Sequence, residues 1–196
     1  PIVAKGDRVL AGQKIAESGG FVSAPIYASV SGTVKTIETR RVVTGDLIQS
    51  IVIDNDGLYE SEEFHPYAPV DKLQKEEIID IVKEAGIVGM GGAGFPTHVK
   101  LSPKEYPQGA ERQLIYATTG RKINSSMLPA DVGCIVDNVD TVVAIYRAVT
   151  EGRPLMERII TVTGDAVANP RNFRVPIGMS YQELLDIAGG FKQEPE

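Results

Sequence analysis

A glycine-rich stretch in the middle of the chain contains the residues whose types and spacing best predict a binding site. Four of its first six residues are glycine, in the order Gly89-Met90-Gly91-Gly92-Ala93-Gly94-Phe95-Pro96-Thr97-His98-Val99-Lys100. Glycines let an anion approach backbone N–H groups closely, and the first N–H groups of a helix lack partners. The stretch therefore predicts an anion site to which Lys100 adds positive charge. A purely structural turn is the alternative, because a glycine pattern alone is weakly specific.

The other reactive side chains give no sign of a catalytic or metal centre. The chain has one cysteine, Cys134, and two histidines, His65 and His98. A single cysteine can form neither an intramolecular disulfide nor a cysteine-ligated iron–sulfur cluster within this chain. We predict no catalytic side chain and no metal site. We interpret His98 as a solvated helix residue and Cys134 as a buried small side chain.

Composition is that of an ordinary globular protein and excludes several classes of function. The 196 residues are 42% hydrophobic and 23% charged, enough for one large domain or two or three small ones. The net charge of −6 argues against nucleic-acid binding, which requires a basic surface. No apolar run approaches the roughly 20 residues of a membrane-spanning helix.

The N-terminal residues 1–54 alternate short apolar runs, among them Phe21-Val22, with glycine-containing turns, which predicts short β-strands. Their order resembles the barrel-sandwich fold of lipoyl and biotinyl domains. Those domains attach a cofactor to a lysine at a hairpin tip, whereas residues 18–21, at the matching tip, contain no lysine. We interpret residues 1–58 as a barrel-sandwich module without a covalent cofactor.

Residues 70–150 predict helices on both sides of the glycine loop. A capping-box pattern at Asp71 and Gln74 starts a helix that ends at Gly86. Thr97 and Asn138 are predicted N-caps of later helices, the second running through Ala148. The same patterns predict a helix over 111–119, a strand over 134–136, and inward-facing Val142, Ile145, Tyr146 and Val149. We expect a partial nucleotide-binding α/β core.

The C-terminal residues 155–196 predict a small β-grasp module. Strand patterns at 159–163 and 173–177 flank a turn. A capping box formed by Ser180 and Glu183 then starts a helix that Gly189 ends. The predicted fold class is therefore multi-domain α+β.

The glycine stretch resembles the flavin-binding loop of the NADH-binding subunit of respiratory complex I. It differs from that loop at Met90, where the family has arginine, and at His98, where it has glycine. With the N-terminal module and the string Leu128-Pro129-Ala130-Asp131-Val132-Gly133, the chain resembles the RnfC family, whose members are subunits of Rnf electron transport complexes. The resemblance implies a cofactor-binding set of Gly89, Gly91, Gly92, Gly94, Phe95, Lys100 and Glu111.

The resemblance also implies a role for each kind of residue in that set. The glycines Gly89, Gly91 and Gly92 would supply backbone donors to FMN, and Lys100 would face its phosphate. Phe95 would lie near the flavin or nicotinamide ring, or pack as a hydrophobic staple before the next helix. Glu111 would bind the NADH ribose, or serve only as a first-turn helix carboxylate.

The function implied by the resemblance is that of an electron-transfer flavoprotein subunit. It would pass electrons from NADH through FMN to iron–sulfur clusters in a membrane-associated NADH:ferredoxin oxidoreductase complex, whose partner subunits translocate ions. It would lie peripherally on the cytoplasmic side of the bacterial inner membrane. The alternatives are a cobalamin-reductase or amino-acid-reductase-linked paralogue and a non-redox docking module.

Two features of the resembled family have no counterpart in this sequence. They are a nucleotide-binding segment, expected between Lys104 and Glu105, and a C-terminal ferredoxin-like domain that carries the iron–sulfur clusters. We therefore expect a fragment that binds no cofactor and is inactive alone.

Overall fold

The computed structural model describes residues 1–42, 44–92, 94–102 and 111–192 and divides into two compact units. The first unit comprises Pro1–Glu17, Ile26–Glu63 and Leu155–Glu196, and the second comprises Ser18–Pro25 and Phe64–Pro154. The predicted discontinuity between Lys104 and Glu105 lies outside the described residues. The three predicted domain ranges stay predictions.

Two small antiparallel sheets form the N-terminal part of the first unit. Strand β4 (Gly32–Arg41) lies between β1 (Arg8–Val9) and β5 (Leu47–Asn55), while β2 (Lys14–Ala16) pairs with β3 (Ile26–Tyr27). The sheets bury a shared apolar core and do not close into a barrel. Its buried members are Val9, Ile15, Ala28 and Val34. The predicted strand at Phe21-Val22 is wrong, since both residues are exposed and lie outside any strand.

A polar cluster holds the turn that follows β5. The Asp56 carboxylate accepts hydrogen bonds from the Ser31 hydroxyl at 2.6 Å and the Leu58 N–H at 2.9 Å. It also pairs with the Arg8 guanidinium at 2.7 Å. These contacts, the Ser31 bond foremost, lower the pKa of Asp56 from 3.8 to about 2.

The C-terminal part of the first unit is a hairpin and a helix, as predicted. Strands β6 (Glu157–Val162) and β7 (Arg171–Pro176) are antiparallel, and α5 (Tyr181–Ile187) follows. The predicted capping box is confirmed. The Glu183 N–H donates to Ser180 Oγ at 3.2 Å, and the Ser180 N–H donates to Glu183 Oε2 at 2.9 Å. The helix covers the hairpin and buries Val167, Phe173, Val175, Leu184 and Ala188.

The second unit is built from helices. It contains α1 (Lys75–Glu84), α2 (Thr97–Leu101), α3 (Glu111–Thr119) and α4 (Val139–Glu151), with α1 packed against α2 and α4. Most of its buried side chains are apolar, among them Val82, Ile87, Val99, Ile115 and Ala148. Within its described residues the β-type pairing is one isolated bridge, Val88 to Pro96. In these described residues the expected α/β core therefore shows helices without a sheet.

Several predicted helix starts and contacts in this unit are wrong. Helix α1 begins at Lys75 rather than after Asp71, because the Gln74 N–H donates to the Glu77 carboxylate at 2.7 Å. Thr97 is the first residue of α2, whose N-cap is Pro96. The wrong assignments also include the strand over 134–136, which is irregular, and inward-facing Val142 and Tyr146, which are exposed.

The two other helix predictions are confirmed. Helix α3 spans the predicted residues and ends before Gly120, which has a φ of 70°. Asn138 caps α4 by accepting a hydrogen bond from the Asp140 N–H at 2.9 Å. None of the described helices combines the length and apolar character that crossing a bilayer requires.

Candidate cofactor-binding cleft

The glycine loop is closed at its base by backbone hydrogen bonds. The Gly89 N–H donates to the Phe95 carbonyl at 2.8 Å, and the Thr97 N–H donates to the Ile87 carbonyl at 3.0 Å. The bridge between Val88 and Pro96 lies between these two bonds. The loop thus leaves α1 and enters α2 through a fixed base, and residues 90–92 and 94 lie at its tip.

A cleft of about 380 Å³ opens beside this loop, within the usual size range of small-molecule sites. All seven residues predicted for the cofactor site line it, although Glu111 comes from a different helix. The lining residues are Gly89, Gly91, Gly92, Gly94, Phe95, Lys100, Glu111, Val136, Asp137 and Asn138. Packing of the second unit therefore brings the predicted residues to one place.

The glycines of the loop differ in what their missing side chains allow. Gly94 has a φ of 69°, a left-handed conformation that favours glycine. A Cβ on Gly91 would lie 2.8 Å from Asn138 Nδ2, so this glycine makes room for the N-cap of α4. A Cβ on Gly92 would meet nothing within 4 Å. The contacts within the chain therefore explain Gly91 and leave open space at Gly92.

Some backbone N–H groups of the loop donate hydrogen bonds within the chain, and others remain available to a ligand. The N–H of Gly89 donates to Phe95, so it is not available to a ligand, which differs from the predicted role. The Met90 N–H donates to Thr141 Oγ1 at 3.0 Å. Among the residues that the structure describes, none accepts from the N–H of Gly91 or Gly92. These two glycines are the predicted donors that the structure leaves available.

Lys100 lies in an ion-pair cluster at the wall of the cleft. Its Nζ is 3.2 Å from Glu111 Oε1 and 3.2 Å from Asp137 Oδ1. The Lys100, Glu111 and Asp137 side chains are 17%, 21% and 9% exposed. Two carboxylates therefore surround one ammonium group, and the cluster carries a net negative charge. Lys100 was predicted to face a phosphate, whereas its Nζ here contacts two carboxylates.

Three residues of the cleft were missed by the sequence reasoning. Val136, Asp137 and Asn138 line it directly before α4. Asn138 was predicted only as a helix cap, and its amide nitrogen faces Gly91. Asp137 directly precedes the N-cap Asn138, and this position before a helix start is the sequence feature that could have indicated it.

Two neighbouring residues differ from their predicted environments. His98 is only 7% exposed, so the prediction of a solvated residue is wrong. Burial is the main cause that lowers the pKa of His98, and the positive charge of Lys83 adds to it. Cys134 is half-buried, with its Sγ 3.6 Å from the Arg121 guanidinium. The fully buried Thr97 hydroxyl has no hydrogen-bond partner among the described residues.

Three protein-family models match the chain in sequence order. The RnfC barrel sandwich hybrid domain matches residues 1–58, the Nuo51 FMN-binding domain residues 102–147 and the SLBB domain residues 159–196. The Nuo51 match includes Glu111 and the segment before α4. The glycine loop and Lys100 precede it.

Whole-chain comparison gives relatives that are each named as the C subunit of an ion-translocating oxidoreductase complex. The C subunit of the Na(+)-translocating ferredoxin:NAD(+) oxidoreductase complex of Acetobacterium woodii is 34% identical over 277 aligned positions, which include the whole chain. The chain is therefore similar to RnfC proteins over its whole length. Another RnfC relative is the C subunit of the proton-translocating ferredoxin:NAD(+) oxidoreductase complex of Clostridium ljungdahlii, 36% identical over the whole chain. The C subunit of an ion-translocating oxidoreductase complex of Pseudomonas aeruginosa is 31% identical over 96% of the chain.

The chain is shorter than these RnfC relatives. It spans 62% of the Acetobacterium protein, 60% of the Clostridium protein and 35% of the Pseudomonas protein. The Acetobacterium alignment has 277 positions, whereas the chain has 196 residues. That relative therefore carries residues within the matched span that have no counterpart here.

Proposed function

We propose that the cleft binds FMN in the complete protein and that NADH is the electron donor. The observation that carries this proposal is the convergence of all seven predicted cofactor residues on one cleft of about 380 Å³. The available N–H groups of Gly91 and Gly92 suit a phosphate, and the open space at Gly92 suits its close approach. The Phe95 side chain on the wall suits a flat ring system.

The charges around the cleft would set the direction in which such a ligand binds. The cluster of Lys100, Glu111 and Asp137 is net negative and would repel a phosphate. The phosphate would therefore lie at the glycine end. The two carboxylates would instead accept hydrogen bonds from sugar hydroxyls. Bound FMN supplies hydride acceptance from NADH and the onward transfer of single electrons, and the chain positions the reactants.

For the complete protein, we propose the role of an electron-transfer subunit in a ferredoxin:NAD(+) oxidoreductase complex. The names of the relatives support this over a cobalamin-reductase or amino-acid-reductase-linked paralogue and over a non-redox docking module. Iron–sulfur clusters would lie outside this chain, and ferredoxin would be reached through them. Other subunits would hold the protein peripherally on the cytoplasmic side of the membrane. The chain alone is expected to be inactive.

Flavin retention by the complete protein tests the proposal. Gly92→Val should reduce bound flavin after gel filtration by about tenfold or more, since the added side chain fills space that the ligand needs. The fold should be unaffected because nothing lies within 4 Å of that Cβ. Gly20→Val is the matched control, since its surroundings are equally open and it is not one of the residues that line the cleft. Full flavin content in the Gly92 variant would refute the proposed site.

A further inference from the structure

Arg121 lies outside the cleft but joins two parts of the helical unit that both reach it. Its Nη1 donates to the Val132 carbonyl at 2.6 Å, and it lies 3.4 Å from the Gly133 carbonyl oxygen and 3.6 Å from Cys134 Sγ. These acceptors belong to a 3₁₀ turn over Pro129–Val132 and to the residues directly after it. Carbonyl groups at the end of a helical turn lack intrahelical partners and favour a nearby cation. The guanidinium therefore caps this turn.

The backbone of Arg121 is itself fixed to the end of α3. Its N–H donates to Thr119 Oγ1 at 3.2 Å, and the Thr119 hydroxyl donates to the Ile115 carbonyl at 2.6 Å. Ile115 is buried, so this series of hydrogen bonds leads from Arg121 into the interior of the unit. The same helix begins with the cleft residue Glu111. Arg121 thus connects the 3₁₀ turn to the helix that supplies one wall of the cleft.

The segment that follows the 3₁₀ turn supplies another wall of the cleft. Residues 134–138 form neither helix nor strand, and the last three of them line the cleft. At one end the Asn138 side chain caps α4. The other end is held by Arg121 and by the Cys134 N–H, which donates to the Pro129 carbonyl at 2.9 Å. Because the segment has no helix or ladder hydrogen bonds of its own, these end contacts have a large share in placing its side chains.

We propose that Arg121 is a positioning residue of the cleft, which keeps the segment 134–138 at a fixed distance from α3. Oxygens of Glu111 on α3 and Asp137 on the segment both lie 3.2 Å from Lys100 Nζ. One ammonium group can contact both carboxylates only while the two walls keep this spacing. The inference rests on the proposed function, because the spacing of the walls matters for the binding of FMN between them.

Amide hydrogen exchange in this chain tests whether Arg121 holds the segment. Arg121→Met removes the donors and keeps most of the stem, so exchange at the Cys134 N–H should become about tenfold faster or more, because the turn opens more often. Arg121→Lys keeps a donating cation and should speed exchange only about threefold. If the methionine variant does not fold, the lysine variant carries the comparison. The matched control is Arg41→Met, since Arg41 Nη1 donates to the Gly45 carbonyl at 2.8 Å in the other unit, and it should leave this exchange unchanged.

Titration of the complete protein with FMN tests the consequence for the cleft. Arg121→Met should raise the dissociation constant of FMN about fivefold or more, because the cleft-lining segment would no longer be held in place. Arg121→Lys should raise it less, and Arg41→Met should leave it unchanged. A partial recovery by lysine would show that the donating cation, and not the bulk of the side chain, is what the cleft requires.

Two results would overturn the proposal. One is exchange at the Cys134 N–H that is as slow in the Arg121 variants as in Arg41→Met, which would show that the turn does not depend on the guanidinium. The other is faster exchange with an unchanged dissociation constant of FMN, which would show that the cleft tolerates movement of the segment. Failure of the proposed function gives a different pattern. FMN would then bind neither the wild type nor any variant, and the exchange rates would still test whether Arg121 holds the segment.

Discussion

Replacing Lys100 with methionine should destabilise the helical unit, because two carboxylates would lose their shared counter-charge. Lys100 Nζ lies 3.2 Å from an oxygen of both Glu111 and Asp137, and all three side chains are largely buried. Removing one partner of a buried ion pair costs about 3–5 kcal/mol, and the residual exposure of this cluster lowers that range to about 2–3 kcal/mol. Methionine keeps most of the apolar stem of the lysine side chain, so the lost stability measures mainly the removal of the positive charge.

Urea unfolding followed by far-ultraviolet circular dichroism measures this loss, since helices α1 to α4 all belong to that unit. Asp137→Asn added to the Lys100 variant should recover about half of it, because one uncompensated carboxylate is removed. Lys35→Met is the control. Its 3.1 Å pair with Asp54 is about 60% exposed at both ends, and it should cost less than about 1 kcal/mol. A Lys100 variant no less stable than the Lys35 variant, or no recovery in the double variant, would show that the two buried carboxylates do not depend on Lys100.

Three further predictions concern the pH dependence and the helix caps. The stability that Asp56 contributes should be complete above its unfolded pKa of 3.8 and should be lost as the pH falls towards 2, since the folded pKa is lowered. The melting temperature of the wild type should then fall more steeply over this range than that of Asp56→Asn, and equal slopes would contradict it. Asn138→Ala should lower the free energy of unfolding of the helical unit by about 1 kcal/mol, and Asn138→Asp, which keeps the acceptor, should lose less. Ser180→Ala should lower the free energy of unfolding of the C-terminal module by about 1 kcal/mol, because it removes the hydroxyl that accepts from the Glu183 N–H. Ser180→Thr is the control that keeps this hydroxyl, and equal losses in the two variants would exclude a capping role.

Local hydrogen bonding explains which elements could be predicted from the sequence. The caps at Asn138 and Ser180 depend on N–H groups two or three residues away, and both were predicted correctly. The cap at Asp71 was wrong because two overlapping patterns compete. The pattern from Gln74 to Glu77 forms the bond in the structure. A capping-box pattern in the sequence cannot decide between two overlapping helix starts, because tertiary contacts determine which of them is more stable.

Long-range contacts explain what could not be predicted at the cleft. Lys100 was expected to face an anion, but Glu111 and Asp137 compete for it, and the latter is 37 residues away in sequence. Similarly, the apolar spacing of α4 does not indicate which of its two faces meets α1. The family motif was sufficient to predict the seven residues that line the cleft. The use of the Gly89 N–H by Phe95 was visible only in three dimensions.

Because the glycine loop is closed at its base, the length of the loop can change without moving the helices on either side. The bonds from Gly89 to Phe95 and from Thr97 to Ile87 hold together the segment that follows α1 and the start of α2, whatever lies between. The entropic cost of a longer flexible loop grows slowly, by about 0.6 kcal/mol per doubling. Residues could therefore be inserted at the tip to reshape a ligand site while both helices stay in register. The loop is thus a position at which specificity can change by insertion as well as by substitution.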